Sequence, residues 1–378
     1  MRKTGFVIVL SLMTALAGCN SGGGSAPAVA PLPPANTTLK VPAGIVAGAG
    51  YKVSVFAVMP STSTKPDSIV QIGSNVFIGV GDDVGPDGTP GPSGKKNVEV
   101  LEYTLGGSLE KTFSVAGHND GLMAFNTTTL WAMSNEDCNP KLTVINIATG
   151  AQQVYTPQSS LVTAGCLSST NGGIDDMQLI GGTVYVSASN PNPTPPSPCP
   201  ANTSTPGCPN GVSSAPAVFA LTLNTDGTTF NLTPVLVSGS TARNIATNAL
   251  GALNMTDPDS EAITPDGSTL VVDSQQDSEL AFIKNPGAVQ SVSYLPLTLA
   301  GGLTAVDDTR YVPSGQTFML FTDTPKNYAY RVDAAFSQGN AYSSAPTQVT
   351  SLNTSTGVLT PIVSGLGAPH GMIFVTAP

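Results

Sequence analysis

Pro258-Asp259-Ser260-Glu261-Ala262-Ile263, then a turn, then Thr269-Leu270-Val271-Val272-Asp273-Ser274: this stretch decides the fold. A Pro-Asp phrase opens one short apolar segment, a β-branched run follows, and a polar turn closes it. The opening phrase recurs as Pro66-Asp67-Ser68-Ile69, Asn119-Asp120-Gly121-Leu122, Asp175-Asp176-Met177-Gln178, Asp307-Asp308-Thr309-Arg310 and Pro369-His370-Gly371-Met372. In the first five copies an apolar run follows shortly, at Phe77, Leu130, Val184, Leu270 and Phe318. Short β-branched runs bounded by turn residues are strands, and their recurrence at blade-like intervals marks a repeated supersecondary unit.

Working outward, a third strand is expected at 98–103, 142–147, 218–223 and 328–332. Hairpin signals such as Ala148-Thr149-Gly150 and Thr225-Asp226-Gly227 then lead into an outer fourth strand. The expected fold is therefore all-β, a β-propeller over residues 45–378 with six blades of about four antiparallel strands. A seventh, irregular unit fits within 334–363. The last copy shows one strand after His370, so residues 51–58 are expected to complete its blade and join the two ends of the chain. The composition agrees: 378 residues with 40 Gly, 32 Pro and only 10% charged residues suit many tight turns. The best helical candidate is the short segment 242–253.

The N-terminus is a separate matter. Arg2 and Lys3 precede an apolar stretch of about a dozen residues, too short to span a bilayer, and Leu16-Ala17-Gly18-Cys19 follows at once. This resembles a bacterial lipoprotein signal, with an ordinary secretory signal as the alternative. On that reading 1–18 is the signal peptide, Cys19 carries the lipid, and 19–44 is a flexible Gly/Ser/Pro tether. Asn20 after the cysteine implies the outer membrane, with the domain on its periplasmic or surface face. Of the other cysteines, Cys199 and Cys208 share one Pro-rich insertion and are expected to pair, leaving Cys138 with Cys166. Four-cysteine zinc binding is the alternative, although no close Cys-x-x-Cys pair is present.

Val272-Asp273-Ser274 leading into Ser278-Glu279-Leu280-Ala281-Phe282 resembles the NHL-repeat signature, as does Thr322-Asp323-Thr324 leading into Asn327-Tyr328-Ala329-Tyr330. The repeated entry phrase resembles the six-bladed superfamily of the senescence marker protein/gluconolactonase group, streptogramin lyase and TolB-like propellers. The lactonase group holds its metal through Glu, Asn and Asp, so the resemblance implies Asn119, Asp176 and Glu261 as analogues. The Glu–His pattern of streptogramin lyase is not reproduced.

Propeller geometry would bring Asp67, Asp120, Asp176, Asp259 and Asp308 around one end of the central channel, with His370 as the sixth position. Carboxylates so gathered need a cation such as Ca²⁺, raised pKa values, or backbone N–H partners. The last is the structural alternative, in which each Asp braces its own turn. The chain's two histidines, His118 and His370, both fall at this face, and with Glu261 they are the catalytic candidates. Candidate metal ligands are the five Asp residues and Asn119.

A formal charge of −10 argues against nucleic acid and anionic membrane surfaces as partners. The membrane contact is assigned to the lipid alone. Hydrolase, zinc-protease and phosphate-loop motifs are absent. Two functions remain: a scaffold that binds a small ligand, a glycan or an envelope protein through the channel face, or a metal-dependent lactonase or related hydrolase sited at the Asp ring.

Overall fold

The computed structural model describes residues 32–170, 172–191, 215–287, 289–315 and 317–377. The signal peptide, Cys19, most of the tether and the Cys199–Cys208 insertion lie outside the described residues. Among the described residues no helix is long and apolar enough to cross a membrane.

The chain folds as a β-propeller. Six four-stranded antiparallel ladders can be traced among the described residues, each starting from an inner strand. The first runs outward as Pro66–Ile72, Asn75–Val80, Asn97–Thr104 and Leu109–Ala116. The second is Asn119–Asn126, Thr129–Ser134, Lys141–Asn146 and Gln152–Pro157. The third is Met177–Ile180, Thr183–Ser187, Pro216–Leu223 and Thr229–Val237. The fourth is Pro258–Ile263, Thr269–Ser274, Glu279–Lys284 and Ser291–Pro296. Each inner strand touches the next, and Pro369–Thr376 touches Pro66–Ile72, so the ring closes.

The fifth and sixth ladders exchange material. Asp308–Tyr311 does not pair with the run that follows it. Its partner is Ala341–Ala345, backed by Gln348–Leu352 and Val358–Ser364. The intervening hairpin Thr317–Asp323/Tyr328–Asp333 crosses over and pairs with Pro369–Thr376. The expectation that Phe318 continues the fifth copy is thus corrected, and residues 334–363 hold the fifth ladder's outer strands. The cause is local: the inner strand stops after four residues, the Val312 N–H is bonded to Asn340 O, and Pro313 has no N–H to extend a ladder. The crossed strand is buried on both faces. Phe318 and Leu320 pack with Ile373 and Val375 on one side, and Met319 and Phe321 with Met372 on the other. Lys52–Val58 pairs with Tyr328–Asp333 as the outermost strand of this last ladder, which joins the two chain ends as expected.

The segment 242–253 is a hairpin rather than a helix. Thr241–Asn244 pairs with Leu250–Ala252 across a turn in which Asn244 Oδ1 accepts the Thr247 N–H and Asn248 takes φ 61°. Asparagine's preference for local turn bonds outweighs the alanines' helix propensity. Trp131 is core, 5% exposed and stacked on Phe125.

Candidate functional site

The inner strands all begin at one end of the channel, so their opening residues face each other. In four ladders the register shifts within the entry phrase, between Pro66 and Ile69, Asn119 and Leu122, Pro258 and Glu261, and opposite Pro369–Met372. This bulge aims the second residue into the channel. Asp67, Asp120, Asp259 and His370 accordingly line a cavity of about 290 Å³.

The third and fifth ladders have no such shift. There the first aspartate of each Asp-Asp pair, Asp175 and Asp307, reaches the cavity rim. Ser187 Oγ and Ser344 Oγ accept the N–H of Asp176 and of Asp308, at 3.0 and 2.9 Å, fixing both in register. Asp176 still edges the cavity, but Asp308 does not. Both reach across to the next inner strand: Asp176 Oδ2 accepts Glu261 N–H at 3.0 Å, and Asp308 Oδ2 accepts Met372 N–H at 2.7 Å. Backbone bracing is therefore real for these two, but between ladders rather than within a turn.

Beneath the rim, Arg310 plugs the channel. Its guanidinium pairs with Asp308 Oδ1, lies 3.9 Å from Asp176 Oδ2 and donates to Glu261 O at 2.7 Å. Glu261 is fully buried at this level and does not line the cavity, and neither carboxylate oxygen has a hydrogen-bond partner. Burial, then Asp176, drives its pKa well above the ordinary range. Asn119 also stays out of the channel, its Nδ2 donating to Met133 O at 2.6 Å. The implied trio Asn119, Asp176 and Glu261 is not assembled as a ligand set.

Two other groups are. His118, Asp120 and Glu136 bring ligand atoms within 4.8 Å of one another, and so do Asp67, Asp307 and His370. His118 Nδ1 lies 2.8 Å from Val84 O, which assigns the Nδ1 proton to that carbonyl and turns Nε2 toward Asp120 Oδ1 at 3.2 Å. Gly81 makes room for the ring, since a Cβ there would sit 2.3 Å from His118 Cε1. The other oxygen, Asp120 Oδ2, is buried without a partner, on a side chain 9% exposed. His370 Nδ1 sits between Asp67 Oδ2 at 3.2 Å and Asp307 Oδ1 at 3.3 Å. Gln275 Nε2 donates to Asp259 Oδ2 at 2.7 Å and Asp307 Oδ1 at 3.1 Å, holding two rim carboxylates together.

The lining residues that the repeat did not single out include Glu136, Asp175, Asp307, Asp257 and Gln275, with Lys65, Gly81 and Thr324 beside them. Glu136 comes from the turn after the second strand of its ladder, and its backbone is tied by Gly173 N–H donating to Glu136 O at 2.6 Å. The Cys138–Cys166 disulfide, expected from the sequence, clamps this turn to the segment leading into Asp175. Replacing both cysteines with serine is expected to cost about 2–4 kcal/mol in chemical unfolding. It should also weaken whatever binds at Glu136, whereas unchanged binding would separate the clamp from the site.

Like charges and burial dominate the electrostatics. Burial, then Asp120, lifts Glu136 well above its usual range; burial, then Glu136, does the same to Asp175, and burial, then Asp175, to Asp259. Burial raises Asp307 to about 7 against the opposing His370. Burial pulls both imidazoles down, but Asp120 holds His118, and Asp307 with Asp67 holds His370, at about 10.

A pH dependence follows for protein kept in chelator. Burial raises Asp176 and Glu279 to about 7 and Asp257 and Asp308 to about 6. Acids raised on folding stabilise the fold at low pH, and this contribution is lost as pH climbs through 6–7. The raised histidines contribute in full below about 6.5 and lose that contribution through about 10. Both act in one direction, and turn carboxylates held low, such as Asp266 at about 2, do not titrate above pH 5. The melting temperature in chelator is expected to fall by several degrees, about 5 °C or more, from pH 5 to 8. A rise over that interval would contradict the burial of these acids.

No protein family and no curated protein matches the sequence. Among solved structures, the chain is similar to a periplasmic gluconolactonase of Pseudomonas aeruginosa at TM-score 0.44 and 11% identity, covering 83% of this chain and 89% of that one. It is similar to the calcium-binding protein regucalcin of Agrobacterium tumefaciens at TM-score 0.41 and 11% identity, covering 83% and 77%. A functionally unknown protein of Desulfotomaculum acetoxidans gives TM-score 0.43 and 12% identity, covering 83% and 76%.

Proposed function

We propose that this propeller is a hydrolase of neutral esters, lactones in particular, that binds a divalent cation at its channel mouth through His118, Asp120 and Glu136. The observation that carries the reading is the His118 ring. Its Nδ1–H is committed to the Val84 carbonyl, so Nε2 is the nitrogen that faces the carboxylate oxygen atoms of Asp120 and Glu136, and it becomes a ligand when a cation displaces its proton. That is how ligating histidines are oriented in metal sites. Asp120 Oδ2, buried and without a hydrogen-bond partner among the described residues, supplies a ligand atom that is free for a cation. Oxygen-rich sets suit Ca²⁺, and the imidazole admits Zn²⁺ or Mn²⁺.

When bound, such an ion polarises a carbonyl. The protein's own residues do the rest. Asp307, raised to about 7, is the group that takes a proton from attacking water, and His370, held protonated between Asp67 and Asp307, gives its proton to the leaving alkoxide; the 3.3 Å contact between the two then returns the proton to the ring. A binding module has no use for a second imidazole held between two carboxylates, and this favours hydrolysis over a scaffold role. The acidic lining repels phosphate and carboxylate substrates and leaves neutral esters.

Elemental analysis of the purified domain and a lactone-hydrolysis screen with and without chelator test this reading. Stoichiometric metal with chelator-sensitive turnover supports it, metal without turnover leaves a cation-dependent binding module, and neither sinks it. In the same reading the chain is exported and held on the outer membrane by a lipid on Cys19, in keeping with the disulfide. Labelled fatty acid is expected to enter the wild type and not Cys19→Ser; incorporation into the variant would remove the anchor.

A further inference from the structure

Beside the acidic mouth lies a second cavity of about 330 Å³, and the two share Gln275, Asp307 and His370 as a common wall. Its other walls differ in kind: Ala305, Val306, Ala345, Pro346, Ala368 and Pro369 give it an apolar surface. It sits over the fifth ladder, between the turn after Thr269–Ser274 and the start of Pro369–Thr376. The mouth itself is walled mainly by carboxylates and the two imidazoles, with Lys65, Gln275 and two hydroxyls beside them, and it offers no apolar side chain to a substrate's carbon frame.

We infer that this side cavity is the specificity subsite of the hydrolase, seating the alkyl tail of a neutral lactone whose ring carbonyl lies at the mouth. The inference rests on the hydrolase reading and narrows its substrate class from neutral lactones at large to alkyl-substituted ones. The shared wall dictates the arrangement. A tail in the side cavity leads past His370 and Asp307, so the bond to be cut falls beside the imidazole, while the carbonyl end points across the mouth toward His118 and Asp120. The volume accommodates a short chain, and each CH₂ removed from water there contributes to transition-state binding as much as to ground-state binding.

The test uses the full mature domain with its native metal and two readouts. Across γ-lactones of rising alkyl length, kcat/KM is expected to rise about three- to fourfold per CH₂ and level off when the cavity is full. Octanamide, an uncharged tail mimic, is expected to bind in calorimetry. Ala305→Trp fills the cavity from a partly exposed wall and should flatten the chain-length series and abolish octanamide binding. Ala368→Phe should do so from the opposite wall, should the first variant fold poorly. Turnover that ignores chain length overturns the subsite and leaves the hydrolase standing. Octanamide binding lost in both variants, with no lactone turned over, upholds the apolar subsite and overturns the hydrolase. Octanamide that fails to bind overturns the subsite.

Discussion

Arg310→Met is expected to destabilise the protein by about 3–5 kcal/mol at pH 8 and by much less at pH 5. The guanidinium is the charge that the channel sets against Asp308 and Asp176, whose own side chains are almost wholly buried. Methionine fills similar volume but leaves two carboxylates facing each other, and a buried charge stripped of its partner is far more costly than the pair was worth. Protonation is the escape. Asp308 at about 6 and Asp176 at about 7 are already raised by burial with Arg310 present, and both move higher without it. At pH 5 both are neutral and the missing cation matters little. Urea unfolding at the two pH values reads the difference directly, and a loss independent of pH would mean that Arg310 acts through packing alone.

Glu136→Gln is expected to remove cation binding at a small cost to the fold. Burial, then Asp120, raises the Glu136 carboxyl well above its usual range and favours its protonated form when no cation is present, which makes the neutral amide a mild replacement. With a cation the two differ by a full ligand charge. Residues that merely orient a ligand cost 10–100-fold in metal affinity when changed, so losing a ligand should cost about 100-fold or more, with a matching fall in hydrolysis. At a cation concentration of about 100 Kd the wild type gains about 2.7 kcal/mol of stability, and the variant should lose nearly all of it. Melting curves with and without Ca²⁺, Mn²⁺ or Zn²⁺ provide the measurement. A variant that keeps the full increment would show that Glu136 does not hold the ion.

The ring was legible because one device is repeated: in four ladders the second residue of the entry phrase is aimed into the channel. Which acidic residue faces it was not legible in the Asp-Asp copies. That choice turns on whether the strand starts with a bulge, and Ser187 and Ser344 suppress the bulge by accepting the next N–H. A serine at that strand end is not by itself the signal, because Ser134 and Ser274 oppose the entry phrases of two bulged ladders. Glu136 was hidden for a different reason. It belongs to a turn after the second strand, where polar residues are the rule, and only the tertiary tie through Gly173 and the disulfide carries it to the channel. The crossed hairpin was hidden because 317–333 has a sound strand–turn–strand pattern whichever inner strand it joins. Pro313 was the clue.

That crossing governs the order in which the molecule can be assembled during synthesis. The first four ladders are built from consecutive sequence and are able to form as each emerges. The last is drawn from residues 52–58, 317–333 and 369–376, so nucleation at either terminus cannot complete it. Until Pro369–Thr376 arrives, the exchanged hairpin has an open edge and Asp308 Oδ2 lacks its Met372 N–H. His370 arrives on that same strand. The mouth thus lacks one of its two imidazoles until that strand docks, and it becomes complete only in the step that shuts the ring.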